Sequence, residues 1–199
     1  MTIIGKVLKA NTTTYVFGTR VPKQDVPIFG SLVRTKIQFR NAVIFGLIYN
    51  IEVLDDGMTK MMSVADDLRT EDIEWQRNRR VPVEASVLNV GYEADLPNAN
   101  SIGKREMRYA LPPQPPVTLD EVTVCDEAEV RQFTGRCDFY RLVLESRDAP
   151  TDELLAASIN YAADFNGDRN AYLRTCGREL ARLMAGDAAR LDGLLRRLL

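Results

Sequence analysis

The sequence contains no histidine. The commonest general base near neutral pH is therefore missing, and so is the commonest nitrogen ligand for a metal. Serine–histidine and cysteine–histidine triads are excluded, as is a zinc site with histidine ligands. Cysteine is scarce: Cys125, Cys137 and Cys176 form an odd, widely spaced set. Such a set gives no disulfide framework, suits a reducing cytosol, and offers little support for a zinc site. Cytoplasmic localisation is expected. No apolar run reaches the roughly 18 residues of a membrane span. The opening MTIIGKVLKANTTTYVFGTR alternates like a strand, with none of the layout of a signal peptide. A phosphate loop of the form G-x-x-x-x-G-K-[ST] is also lacking; the one lysine beyond Lys60 is Lys104, in IGKRE. Charge of either sign is nearly balanced, with a net of −2. Residues 1–110 carry a net of +2, residues 111–150 a net of −4, and the remainder is neutral. No segment has the basic excess of a dedicated nucleic-acid binder.

What is present is enough apolar material, 45% of 199 residues, for a proper core in one domain or one domain with a small appendage. The first half reads as short strands. Residues 3–10 alternate, and TTTYVFGTR at 12–20 is β-branched and aromatic. IFGSLVRTKI at 28–37 starts a further strand. NAVIFGLIYNIEVL at 41–54 is the most apolar stretch, and Gly46 within it predicts a bulge or a close backbone approach. Helix-forming composition over 65–80 predicts a helical excursion, and VPVEASVLNVGY at 81–92 returns to alternation. MRYAL at 107–111 is a further short strand candidate. Strands of this length between Gly, Pro and Asp turns predict a small closed β-barrel.

The last fifty residues change character. TDELLAASINYAADF after Pro150, with Thr151 as its candidate N-cap, predicts one amphipathic helix. Leu173, Cys176, Leu180, Leu183 and Met184 follow at helical spacing, and Leu191, Leu194, Leu195 and Leu198 share the face of a third helix. Asp168 and Asp187 are candidate caps. The fold class is thus α+β: a barrel over 1–148 with a helical excursion near 65–80, then a three-helix unit over 149–199. Amphipathic helices ordinarily bury their leucines against their own chain. The terminal LLRRLL is nonetheless the part best suited to a protein partner, through Leu191, Leu194, Leu195 and Leu198.

Candidate chemistry is sparse. The acidic pairs Asp55/Asp56, Asp66/Asp67 and Glu71/Asp72 fall at turns and helix starts, where carboxylates are favoured anyway. DFNGDRN at 164–170 resembles part of a calcium loop, but Thr175 stands where the bidentate glutamate belongs; a helix–turn–helix connection is the simpler reading. RNRR at 77–80 beside Trp75 suits a solvated helix end better than a phosphate contact. Cys125 and Cys137 read as small buried apolar residues. No catalytic residue, cofactor or metal is expected.

Four prolines fall within PPQPP at 112–116. They are either a stiff linker or a bend that returns the chain to the barrel for a last strand. The order of IGKVLKANTTTYVFGTR, PIFGSLVRT, VIFGLIYNIEV, EDIEWQRNRRVPVEASVLNVGY and ALPPQPPVTLDEVTVCDEAEV resembles the N-terminal β-barrel of HerA-type DNA-translocating ATPases. This HAS barrel is shared with rotary ATP synthase subunits. The resemblance covers about two thirds of the chain and implies the bend, with proline at an edge position. Without the family's ATPase domain, it implies a non-catalytic assembly or adaptor protein. Such a protein would dock on copies of itself, on a HerA-type ATPase or on a NurA-type nuclease, in DNA processing. The alternative is a barrel module binding single-stranded nucleic acid through Arg34, Lys36 and Arg40, with Tyr15, Phe17 and Phe39 as stacking platforms.

Overall fold

In the computed structural model of the chain, the residues described are 2–21, 27–37, 39–54, 69–71, 81–96 and 104–198. Among them the strands are β1 (Ile3–Ala10), β2 (Thr14–Val21), β3 (Leu32–Lys36), β4 (Val43–Val53), β5 (Val81–Asp95), β6 (Arg105–Arg108) and β7 (Glu121–Val124). The helices are α1 (Glu127–Thr134), α2 (Tyr140–Leu144), α3 (Thr151–Phe165), α4 (Arg169–Leu183) and α5 (Ala188–Arg196). Neighbouring strands pair antiparallel, in the order β2-β1-β7-β3-β4-β5, and β5 returns to β2 to close a six-stranded barrel. The fold is α+β, a small closed barrel followed by helices, as the alternating strands and later amphipathic periodicity predict.

Local chemistry sets the ring. β1 turns into β2 at Asn11, whose side-chain oxygen accepts from the Thr13 and Thr14 amides at 2.8 and 2.7 Å; this Asx turn fixes the hairpin. β5 is long because it serves two neighbours on one edge. Val81–Leu88 pair with β2, and Tyr92–Asp95 pair with β6, which lies outside the ring. Gly46 behaves as predicted: the β4–β5 register shifts beside it, and a Cβ there would lie 2.3 Å from Val87 Cγ1. The PPQPP segment lies in the connection between β6 and β7, and β7 inserts between β1 and β3. The segment is therefore a bend within the barrel. Its prolines precede the strand rather than occupying an edge position of it.

The period-two alternation of the strands sorts side chains to two sides of the wall. Val7, Tyr15, Phe17, Val33, Ile48, Ala85, Val87 and Val122 form one cluster within the ring. Leu32, Val43, Phe45, Leu47, Leu88 and Val90 face the other way and join α1–α5 in a single larger core with Phe133, Tyr140, Leu155, Ile159 and Leu180. Stacked and tilted rings bind the two layers. Phe133 lies 5.0 Å from Phe45, 5.1 Å from Tyr109 and 5.3 Å from Phe139, and the Tyr109 hydroxyl donates to the Phe133 carbonyl at 2.8 Å. Gly30, at φ +82°, packs directly under α3: a Cβ there would lie 2.6 Å from Ala157 Cβ. The expected boundary near residue 148 does not divide two cores.

Two helices precede the expected three. The acidic stretch after Cys125 begins α1 through a capping box. Asp126 accepts from the Glu129 amide, and Glu129 accepts from the Asp126 amide, each at 3.0 Å. α2 follows after a short turn. Asp168 and Asp187 cap α4 and α5 as expected, accepting from the amides of Ala171 and Arg190. Thr151 is not a cap. Pro150 takes that position, and the Thr151 hydroxyl accepts from Arg190 at 2.9 Å. The DFNGDRN segment is the α3–α4 connection, with Asp164 ion-paired to Arg169. The helical excursion over 65–80 lies outside the described residues apart from 69–71, as do Trp75, RNRR and the acidic pairs other than Glu71.

Candidate functional site

The start of β1, the end of β3 and the turn entering β7 enclose a groove of about 480 Å³, lined by Ile3, Arg34, Thr35, Lys36, Leu119, Asp120, Glu121 and Thr123. Its geometry begins with the turn at 117–120. The Val117 amide donates to the Asp120 carboxylate at 2.7 Å, and the Asp120 amide donates to the Val117 carbonyl at 3.0 Å. The same turn is tied to β1 in both directions, Leu119 amide to Val7 carbonyl at 2.8 Å and Val7 amide to Asp120 carbonyl at 2.9 Å. These bonds hold Leu119 at φ 73°, in the left-handed region. A leucine there is disfavoured by about 1–2 kcal/mol, so the surrounding bonds impose the conformation. The result is an exposed apolar rim: Leu119 is 66% exposed, Val117 59% and Ile3 53%.

The charged margin of the groove is partly matched from within. Arg34 forms an ion pair with Glu129 of α1 at 2.7 Å, and both side chains are largely buried. Its guanidinium is thus held against the helical layer. Lys36 is exposed on the groove, and Asp120 and Glu121 bring carboxylates beside it. Arg40 lies in a single 3-10 turn, Phe39–Asn41, and its side chain is outside the described residues. The three residues expected to contact nucleic acid therefore do not form one exposed basic row. Tyr15 and Phe17 are fully buried within the ring. They cannot act as stacking platforms, because alternation along β2 turns them inward.

The leucine face of α5 is filled by the chain itself. Leu194 and Leu198 are buried, and Leu191 and Leu195 pack partly buried against the same core. Arg190 pairs with Asp152 at 2.6 Å and Arg197 with Glu153 at 2.8 Å, and Asn160 donates to the Arg197 carbonyl at 3.0 Å. These contacts clamp α5 onto α3. The four leucines are accordingly not an open surface, which corrects the expectation that they await a partner.

Among the described residues no group of three or more acidic or cysteine side chains converges to hold a metal ion, and no helix is long and apolar enough to cross a membrane. Burial pushes the Cys125 thiol and the Tyr15 hydroxyl well above their ordinary ranges, which keeps both protonated and unreactive. The groove thus combines an apolar rim displayed on a hydrogen-bonded turn with bordering charges of both signs. The turn was hard to foresee, because TLDE reads as an ordinary turn sequence. Only the left-handed leucine marks it. No protein-family model matches the chain, and no curated protein matches it.

Proposed function

We propose that the chain is a non-catalytic, cytoplasmic assembly or adaptor protein. It docks through the barrel rim at Ile3, Val117 and Leu119 on copies of itself or on a HerA-type ATPase or its nuclease partner. The observation that carries this reading is Leu119: an exposed leucine fixed in a disfavoured conformation, beside two further exposed apolar side chains. Strain at an exposed apolar position points to a contact that rewards it. The ordered resemblance of residues 1 to about 135 to the HAS barrel supports the class of partner. DNA processing is the corresponding process. The absence of histidine and of a phosphate loop argues against the common hydrolytic mechanisms. Direct binding of single strands is disfavoured by the buried Tyr15 and Phe17 and by the ion-paired Arg34.

The test is recovery of the tagged full chain from its native host at low and high salt, with nuclease treatment. A HerA-type ATPase or nuclease that stays bound after nuclease treatment supports the proposal, and so does a defined self-oligomer lost on Leu119→Asp. Recovery of nucleic acid alone, lost at high salt, overturns it and favours the single-strand module.

A further inference from the structure

Two cysteines far apart in sequence meet at the mouth of a second pocket. Cys137 lies in the α1–α2 turn and Cys176 in the middle of α4, and both line an opening of about 340 Å³ together with Thr134, Asn166, Asp168, Tyr172 and Thr175. Each thiol is the neighbour that most affects the other's protonation. Cys137 is half-buried and Cys176 fully buried. Tyr140 and Tyr172 stand close enough to Cys176 to influence its charge. The Tyr172 hydroxyl donates to the Thr134 carbonyl at 3.5 Å, but the Tyr140 hydroxyl, completely buried, has no hydrogen-bond partner. A buried hydroxyl without a partner is costly. Here it stands where a thiolate on Cys176 would accept its proton.

We propose that Cys137 and Cys176 form a reversible redox pair that closes to an intramolecular disulfide on reaction with a hydroperoxide. Cys125 takes no part, being buried in the core and absent from the lining of the opening.

The pair holds a single negative charge well. The Cys176 thiol is lowered to about 7, first by Cys137 and then, against the opposing effect of burial, by Tyr140 and Tyr172. Cys137 retains the shared proton and is driven far up, with Glu179 of α4 adding to the rise. Asp168 is the other acidic group at the mouth. The two titrations belong to the pair rather than to either sulfur. When the shared proton moves from Cys137 to Cys176, the thiolate sits on the more exposed sulfur. That sulfur attacks one peroxide oxygen, the O–O bond breaks, and the departing hydroxide takes a proton to become water. The resulting sulfenic acid is attacked by Cys176. The S–S bond forms, the S–O bond breaks, and the second oxygen leaves as water with the remaining proton. Two thiols lose two electrons in all and the peroxide gains them. The bond would lock α4 to the α1–α2 corner, and a dithiol would reopen it.

The experiment treats the full-length chain with hydrogen peroxide near pH 7, quenches by alkylation, and maps the peptides by mass spectrometry. The expected product is a Cys137–Cys176 cross-linked peptide pair lighter by two hydrogens, reversed by dithiothreitol and retained in Cys125→Ser. Cys137→Ser should lose it completely while keeping the wild-type circular dichroism. Tyr140→Phe should move the pH midpoint of alkylation of the pair upward, which a purely structural tyrosine would not do. Free thiols at both positions after treatment, oxidation that stops at Cys137 alone, or a cross-link through Cys125 would overturn the proposal.

Discussion

Replacing Gly30 by alanine tests how the barrel is joined to its helices. The residue sits at φ +82°, just ahead of β3, and its amide donates to the Ile48 carbonyl at 2.8 Å. Alanine brings two costs. The left-handed conformation disfavours an L side chain by about 1–2 kcal/mol. The new Cβ would lie 2.6 Å from Ala157 Cβ and 2.9 Å from the Ala157 carbonyl carbon. Part of that clash is with α3 backbone, which cannot rotate away, so overpacking adds about 1–3 kcal/mol. The expected loss is roughly 2–5 kcal/mol, or about 5–15 °C in Tm at about 2–4 °C per kcal/mol for a chain of this size. Thermal unfolding followed by far-UV circular dichroism and by near-UV circular dichroism of the buried tyrosines Tyr15 and Tyr140 provides the assay. Because the core is shared, both signals should fall together. Ala157→Gly should recover the overpacking part in the double variant but not the conformational part, giving a measurable coupling. A Gly30→Ala chain that melts within about 1 °C of the parent, or additive single effects, would refute the close barrel–helix contact.

Three further outcomes follow from the same structure. Phe133→Ala empties the centre of the aromatic chain linking β4, α1 and α2 and should cost about 3–5 kcal/mol by urea unfolding. Asp126→Ala removes one half of the α1 capping box and should cost about 1 kcal/mol by urea unfolding. Asp152 is held below the ordinary carboxylate range mainly by the hydrogen bonds from Arg190. A depressed carboxylate contributes stability above its unfolded pKa and loses it as pH falls through the folded one. The stability difference between the parent and Asp152→Asn should therefore be full at neutral pH, shrink below about pH 4, and vanish at more acidic pH; a difference constant from pH 7 to 2 would contradict the Arg190 pairing.

Much of the architecture is legible in the residues, and the exceptions have physical causes. β-branched alternation marks the strands, Asp168 and Asp187 mark two helix starts, and Gly46 marks the close approach to Val87. α1 and α2 are too short for periodicity to reveal them. The signal for α1 is the D-x-x-E of its capping box, which reads as a mere acidic stretch until Asp126 and Glu129 are seen to exchange hydrogen bonds. Closure between β2 and β5 joins strands distant in the chain, and nothing local encodes it. The candidate site is harder still. Arg34 has the residue type for a phosphate contact, but its partner Glu129 comes from a helix absent from the linear reading. Tyr15 and Phe17 have the residue type for stacking, but the inward side of β2 is fixed only once the ring closes. The meeting of Cys137 and Cys176 depends on the packing of α4 against the α1–α2 turn, a tertiary contact that spacing alone does not disclose.

The docking proposal turns on one side chain, and Leu119→Gly isolates it. Glycine removes the leucine from the apolar rim and also relieves the left-handed backbone at φ 73°, so the variant should be more stable than the parent by about 1 kcal/mol. The measurement is sedimentation velocity of parent and variant, alone and with the partner recovered from the host, beside their urea unfolding curves. The account predicts a more stable monomer that no longer forms the complex or self-oligomer of the parent. A variant that gains stability and still assembles as the parent does would show that the exposed leucine is not the docking contact.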